Sequence, residues 1–207
     1  MNLLKKLFRN KTAPEETMVP DDLIPHYLEP SEKLQTILQR VPGTGKMFYK
    51  YIRQHGISKE WKYWAVDMME NGLETPGIVQ LAGEDLNMNP FAFANLLDTV
   101  FQELDIQVSP EIAYSSYVMS IAGEVLHGER TARSGFEVLS RAAIENDYHK
   151  ILYVFYLWLD NADEVAFYTV KGSGLRVDNV DEWMHQFFEK LVKANPKYCS
   201  DSVTNLG

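Results

Sequence analysis

Apolar residues recur at spacings of three and four along most of the chain, which is the pattern of helices that bury one face. The longest such stripe follows Pro90 and consists of Phe93, Leu96, Leu97, Val100, Phe101 and Leu104. Comparable stripes predict further helices near Ser31, Met47, Ser58, Pro76, Pro110, Phe136, Tyr148 and Asp178 or Asn179. The pattern predicts an all-α protein, an irregular bundle of about eight short antiparallel helices.

Three helix starts are marked by a capping residue followed directly by proline, namely Thr75-Pro76, Asn89-Pro90 and Ser109-Pro110. Thr, Asn and Ser side chains accept hydrogen bonds from the free N–H groups of a first helical turn. Proline suits the next position because no donor is needed there and its φ is already helical. These pairs predict three consecutive helices joined by tight turns.

Three other stretches need separate interpretation. Ile151 to Leu159 is a run of nine apolar residues, which is too short to span a membrane and is predicted as a helix buried nearly all round. Residues 165–177 hold two apolar runs around a Gly-Ser-Gly sequence and predict either a small hairpin or a loop. Gly43-Thr44-Gly45 predicts a turn between two helices.

Composition divides the chain into three parts. Residues 1–30 are predicted as a basic amphipathic start and an irregular lead-in, residues 31–195 as a single helical domain, and residues 196–207 as a disordered tail. A helix over residues 1–11 would place Leu3, Leu4, Leu7 and Phe8 opposite the cations Lys5, Lys6, Arg9 and Lys11. Such a segment either lies on an anionic membrane surface or frays from, or docks on, the protein itself.

The chain is acidic, with 29 Asp and Glu against 20 Lys and Arg and a formal net charge of −9 at pH 7. This balance argues against nucleic acid as a direct ligand, because phosphate contacts need clustered Lys and Arg. We expect a protein partner instead, and the charge is compatible with a basic one, although acidity is also the common state of soluble bacterial proteins. The single Cys199 cannot form an internal disulfide, so a reducing compartment such as the cytoplasm is expected.

Motifs for catalysis, metals and nucleotides are incomplete in this sequence. Pro42–Lys46 looks like a phosphate-binding loop, but Arg40 and Met47 occupy positions where that motif needs Gly and Ser or Thr. Glu124 and His127 form a single Glu-x-x-His pair, whereas a di-iron bundle needs two. We therefore predict a non-enzymatic protein with no catalytic residue, no cofactor and no metal.

Five acidic residues are the candidates for contact with a partner: Glu74, Glu84, Asp85, Glu103 and Asp105. Glu84 and Asp85 lie near the end of the helix that begins at Pro76, where negative charge opposes the helix dipole. A salt bridge to Arg or Lys of a partner would explain this placement, and an internal Lys would explain it equally well.

Turn and packing residues over residues 61–160 form a familiar order. Ala65 to Gly72 is followed by Thr75-Pro76-Gly77-Ile78 and Leu81-Ala82-Gly83, and Ile121 to Glu129 precedes Gly135-Phe136-Glu137. This order resembles a group of small, uncharacterised bacterial all-helical proteins, some of which are similar to immunity proteins of toxin systems. The resemblance implies a helical fold and brings no catalytic residues with it.

The favoured hypothesis is a non-enzymatic cytoplasmic protein-binding domain, in one form an immunity-like inhibitor of a basic partner. A second hypothesis is a membrane-peripheral accessory protein attached through residues 1–11. A third is an enzyme whose site has no recognisable motif.

Overall fold

The structure is a computed structural model that describes residues 18–53, 56–85, 87–164, 175–176 and 178–199. Within these ranges it has nine α-helices and no strand, which confirms the all-α prediction. The helices are α1 Glu32–Arg40, α2 Thr44–Ile52, α3 Lys59–Glu70, α4 Pro76–Gly83, α5 Pro90–Glu103, α6 Pro110–Leu126, α7 Ala132–Glu145, α8 Lys150–Glu164 and α9 Val180–Ala194.

The three cap-proline starts are confirmed. Helices α4, α5 and α6 each begin at the proline of the pair. The Thr75 and Ser109 hydroxyls accept hydrogen bonds from N–H groups three residues later, at 3.3 and 3.2 Å. The Asn89 side chain accepts from the N–H of Phe91 at 2.8 Å. Local sequence therefore fixes where these helices begin.

Helix α6 packs against α2, α7, α8 and α9, and buried residues are found all round it. The approach of α2 is very close, because a Cβ on Gly45 would overlap the Ser116 carbonyl and the Ser120 hydroxyl. The predicted turn is wrong for Thr44 and Gly45, which form the first residues of α2. Only glycine lets the backbone of α2 lie directly on α6.

Helix α8 packs along α7, and its buried side chains include Phe155, which stacks at 6.0 Å on Phe188 of α9. The prediction that α8 is buried nearly all round is wrong, since Tyr153 and Leu157 are exposed. An unbroken apolar run does not reveal how many of its faces are covered.

Both ends of the described chain pack on α9. Residues 18–30 are irregular apart from a 3₁₀ turn at Asp21–Leu23, and the Val19 N–H donates to Gln186 Oε1 at 2.8 Å. A second 3₁₀ turn, Pro196–Tyr198, precedes the buried Cys199. The predicted disorder is wrong for residues 196–199, because Tyr198 and Cys199 join the core. Most of the predicted hairpin, residues 165–174 and 177, and the segments 1–17 and 200–207 lie outside the described residues.

Candidate functional site

The region from residue 63 to residue 129 contains eleven Asp and Glu and no Lys or Arg. It includes most of α3 and all of α4, α5 and α6. Helix α6 is largely buried, so the exposed carboxylates of this region belong mainly to α3, α5 and the connections around α4. On this side of the protein, the residues that the structure describes between 63 and 129 therefore expose carboxylates and no Lys or Arg.

A groove of about 760 Å³ lies on this side, between the end of α2 and the first half of α5. We call it the α5 groove. Its apolar lining consists of Ile52, Ile57, Pro90, Phe91, Phe93, Ala94 and Leu97, and Lys50, Tyr51, Gly56 and Asp98 complete it. Phe91 is 82% exposed, the most exposed large apolar side chain in the described chain. Contiguous apolar surface of this kind marks interaction sites.

Tyr51 and Asp98 form the polar side of the α5 groove. The Tyr51 hydroxyl donates to Asp98 Oδ1 at 2.6 Å. Burial, together with the adjacent carboxylate, raises the pKa of Tyr51 to about 12. A second depression, of about 500 Å³, shares both residues and continues along α5 to Asp105. Asp98 thus stands where two depressions adjoin, and Asp105 lies in the second, more polar one.

Lys50 is the single cation among the described residues that line the α5 groove. Its ammonium lies 2.7 Å from the carboxylate of Glu60 in α3. This hydrogen bond lowers the pKa of Glu60. Because Glu60 already balances Lys50, the charge that the α5 groove presents to a ligand is that of Asp98. Asp105 lines the neighbouring depression and lies beside the ammonium of Lys33.

Three of the predicted partner contacts lie away from the α5 groove. Glu74 is exposed beside a shallow depression formed with Pro76 and Val79. Glu84 accepts from the N–H of Asp85 at 3.3 Å, and Asp85 Oδ1 accepts from the backbone and side-chain N–H groups of Asn87, each at 3.0 Å. Local amide donors therefore stabilise the two carboxylates, and their placement gives no indication of a partner.

The other two predicted contacts, Glu103 and Asp105, differ in role. Glu103 Oε2 accepts a 2.7 Å hydrogen bond from the N–H of Gly77, so this carboxylate caps the first turn of α4. Asp105 has a left-handed backbone with φ 54° and an 87% exposed side chain, 3.8 Å from the ammonium of Lys33. Of the five candidates, only Asp105 lines the second depression, which adjoins the α5 groove.

Tyr51, Phe91 and Asp98 are site residues that the sequence pattern did not predict. Phe91 falls outside the buried apolar stripe of α5. A large aromatic residue at such a position was the sequence signal for an exposed contact surface. The absence of Lys and Arg between Lys62 and Arg130 was a second signal, because it marks one connected set of helices.

A separate ionic cluster accounts for two motifs of the sequence. One oxygen of the Glu124 carboxylate contacts the Lys46 ammonium, and the other accepts from Arg130 Nε at 2.8 Å. The cluster borders a cavity of about 250 Å³ that His127 and Cys199 also line. Lys46 belongs to the loop that looked like a phosphate-binding motif, and Glu124 to the single Glu-x-x-His pair. Their ion pair connects α2 to α6.

No group of three or more potential metal ligands occurs in the part of the chain that the structure describes. In the same part, no helix combines the length and the apolar character needed to cross a bilayer. Comparison with known proteins returned no family model, no curated protein and no solved structure that matches this chain.

Proposed function

We propose that this protein is a non-enzymatic protein-binding domain whose α5 groove receives a basic, amphipathic segment of a partner. The observation that supports this proposal most directly is the apolar lining of the α5 groove with Asp98 at its edge, beside a second depression that holds Asp105. A helix that carries apolar anchors at spacings of three and four would fill the floor and point its Lys or Arg at the carboxylates.

The apolar residues and the carboxylates would contribute differently to binding. Phe91 and Pro90 supply exposed apolar area, whereas Phe93 and Leu97 are buried. A few well-packed anchor residues contribute most of the free energy of binding in protein interfaces. Asp98, and Asp105 to the extent that Lys33 leaves it unbalanced, attract a basic partner over a distance and align it. This attraction raises the association rate and makes binding sensitive to salt. An immunity-like inhibitor that covers a basic toxin would use this chemistry.

We place this function in the cytoplasm. Cys199 is the single cysteine of the chain and is buried as a free thiol, which suits a reducing compartment.

Affinity capture from an extract of the native cell tests the proposal, with the full chain as bait. The test variant is Ala94→Lys, which puts a long cation into the α5 groove at an exposed helical position. The matched control is Ala92→Lys, an equally exposed position on α5 outside the groove lining. Both variants change the net charge equally, and Lys is tolerated in helices.

We expect the native chain and the Ala92→Lys control to retain a protein of basic isoelectric point that high salt releases. Ala94→Lys should lose it, while circular dichroism confirms that all three chains are equally helical. If neither high salt nor Ala94→Lys reduces the amount of protein captured, the proposal is refuted.

A further inference from the structure

Helix α8 leaves part of its apolar surface uncovered. Residues 151–159 carry no charge, and a helix that is apolar all round is normally buried on every side. In this protein, however, Tyr153 is 38% exposed and Leu157 is 39% exposed. We call the surface that these two residues form, together with Tyr148 and Tyr156 beside them, the α8 face. Such an uncovered apolar surface marks an interaction site.

The aromatic part of the α8 face is held in place before any partner arrives. The ring centroid of Tyr148 lies 5.8 Å from that of Tyr153 and 5.2 Å from that of Tyr156. Tyr148 reaches this position with a left-handed backbone, φ 55°, which is unfavourable for a bulky residue. Its N–H donates to the carbonyl of Ala143 at 2.8 Å and fixes the turn. Aromatic side chains that are already rigid lose little conformational entropy on binding, so the cluster suits a protein contact.

Two opposite charges stand at the two ends of the α8 face. Lys150 is the first residue of α8, and Asp160 follows it by ten residues. Lys150, Tyr153, Leu157 and Asp160 succeed one another at spacings of three and four, so they share one side of the helix. Both charged residues are exposed, and neither has an ion-pair partner among the residues that the structure describes. The α8 face therefore has a cation at one end, a carboxylate at the other and an apolar centre.

This order of residues is complementary to itself when two copies meet in antiparallel orientation. In a symmetric pair of α8 helices whose centre is level with Phe155, Lys150 of each copy lies opposite Asp160 of the other. The same symmetry places Tyr153 of each copy opposite Leu157 of the other. A uniformly basic or acidic partner would match only one end of the α8 face, whereas a second copy matches both. The uncharged centre also limits the repulsion between two copies that each carry a net charge of −9.

We propose that two copies of this chain form a symmetric dimer through antiparallel α8 helices. The contact is isologous, so assembly closes at two subunits. Helix α8 has 15 residues and is about 22 Å long, and so short a strip favours a weak, concentration-dependent dimer. The α8 face shares no residue with the lining of the α5 groove, so the inference does not depend on the proposed function.

Reversing one charge at a time tests both the contact and its register. In a dimer of Lys150→Glu chains, acid faces acid at both ends, and in a dimer of Asp160→Lys chains, cation faces cation. A mixed pair of these two variants restores an opposite-charge pair at each end. Both substitutions agree with the helix dipole, because they put Glu at the start of α8 and Lys toward its end, so we expect α8 to remain folded.

A second pair of variants tests the apolar centre. Leu157→Glu introduces a charge into the middle of the α8 face. The matched control is Val66→Glu on α3, because Val66 is 40% exposed, lies outside the α8 face and undergoes the same change of charge. Sedimentation equilibrium of each full-length chain, over a wide concentration range at low salt, measures the dissociation constant of the dimer.

We expect the native chain and Val66→Glu to dimerise alike. Lys150→Glu, Asp160→Lys and Leu157→Glu should each raise the dissociation constant at least about tenfold, because like charges or an unpaired charge would lie in the contact. An equimolar mixture of Lys150→Glu and Asp160→Lys should form heterodimers with nearly native affinity.

A native chain that remains monomeric at all concentrations would overturn the inference, as would a dimer that Leu157→Glu leaves unchanged. A mixture of the two charge variants that remains monomeric would equally exclude the antiparallel pairing. Vesicles of phosphatidylcholine test the competing destination for an apolar surface. If the native chain sediments with them as a monomer and Leu157→Glu does not, the α8 face binds a membrane surface and the dimer is wrong.

Discussion

The side-chain amide of Asn146 donates a hydrogen bond of 2.9 Å to the hydroxyl of Tyr49, which precedes it by 97 residues. The same amide group donates to the carbonyl of Ala142 at 2.6 Å, and its oxygen accepts from the hydroxyl of Tyr114 at 2.9 Å. Tyr49 in turn stacks on Tyr117 with ring centroids 4.2 Å apart. One buried side chain thus connects α2, α6 and the end of α7.

Replacing this residue should be costly. We expect Asn146→Ala to lower the free energy of unfolding by about 2–3 kcal/mol, because the hydroxyls of Tyr49 and Tyr114 each lose a buried hydrogen bond. Asn161→Ala is the matched control, since among the residues that the structure describes the Asn161 amide bonds to the carbonyl of Leu157 on its own helix, at 2.8 Å. Urea denaturation measures both, and equal losses would contradict a special role for Asn146.

The contact between α2 and α6 predicts a strong effect of one methyl group. In Gly45→Ala the new Cβ meets the backbone of Ser116 as well as the movable Ser120 hydroxyl, so the two helices must separate. We expect the free energy of unfolding to fall by about 2 kcal/mol or more, as for other overpacked contacts. Gly123→Ala on α6 is the control, because no atom lies within 4 Å of its Cβ. It should be neutral or stabilise the protein by about 0.5–1 kcal/mol.

Local signals explain why much of the fold could be predicted from the sequence. A cap such as Ser109 accepts a hydrogen bond from an N–H only three residues away. The residues that form it are therefore close together in the sequence and can be recognised there. Gly45 could not be interpreted in this way, because its role depends on Ser116 of another helix. The same limit applies to α8, whose apolar run gives no information on what covers Tyr153.

The candidate site was less predictable because its members come from distant segments. Asp98 acquires its role from Tyr51, which lies 47 residues earlier in α2. Glu103 resembled a solvent-exposed acid in the sequence, yet it caps α4 through Gly77, 26 residues away. The acidic residues in the sequence indicated the region. The packing of α2 and α4 against α5 determines which carboxylate lines the groove and which one caps a helix.

The burial of Cys199 predicts an unreactive thiol in the native protein. Burial raises the pKa of this thiol to about 12, which leaves little of the reactive thiolate at neutral pH. We expect a thiol reagent such as DTNB to react at least about tenfold more slowly with the native chain than with the urea-unfolded chain. Tyr198→Ala should accelerate the native reaction, because the Tyr198 hydroxyl bonds to the carbonyl of Leu28 and holds this end in place. Equal reaction rates for the native and unfolded chains would contradict the burial of Cys199 and support the prediction of a disordered tail.

His149 predicts a specific loss of stability in mild acid. Burial, and secondarily the positive charge of Lys150, lowers the pKa of its imidazole, although Glu111 acts in the opposite direction. The imidazole also packs 4.5 Å from the ring of Tyr114. Because the folded pKa lies below that of the unfolded chain, protonation favours unfolding, and stability falls as the pH decreases below about 6.5. We expect His149→Asn, which keeps a polar cap for α8 without titrating, to show a smaller decrease in urea midpoint between pH 7.5 and 5 than the native chain. An identical decrease would assign the acid sensitivity to other groups.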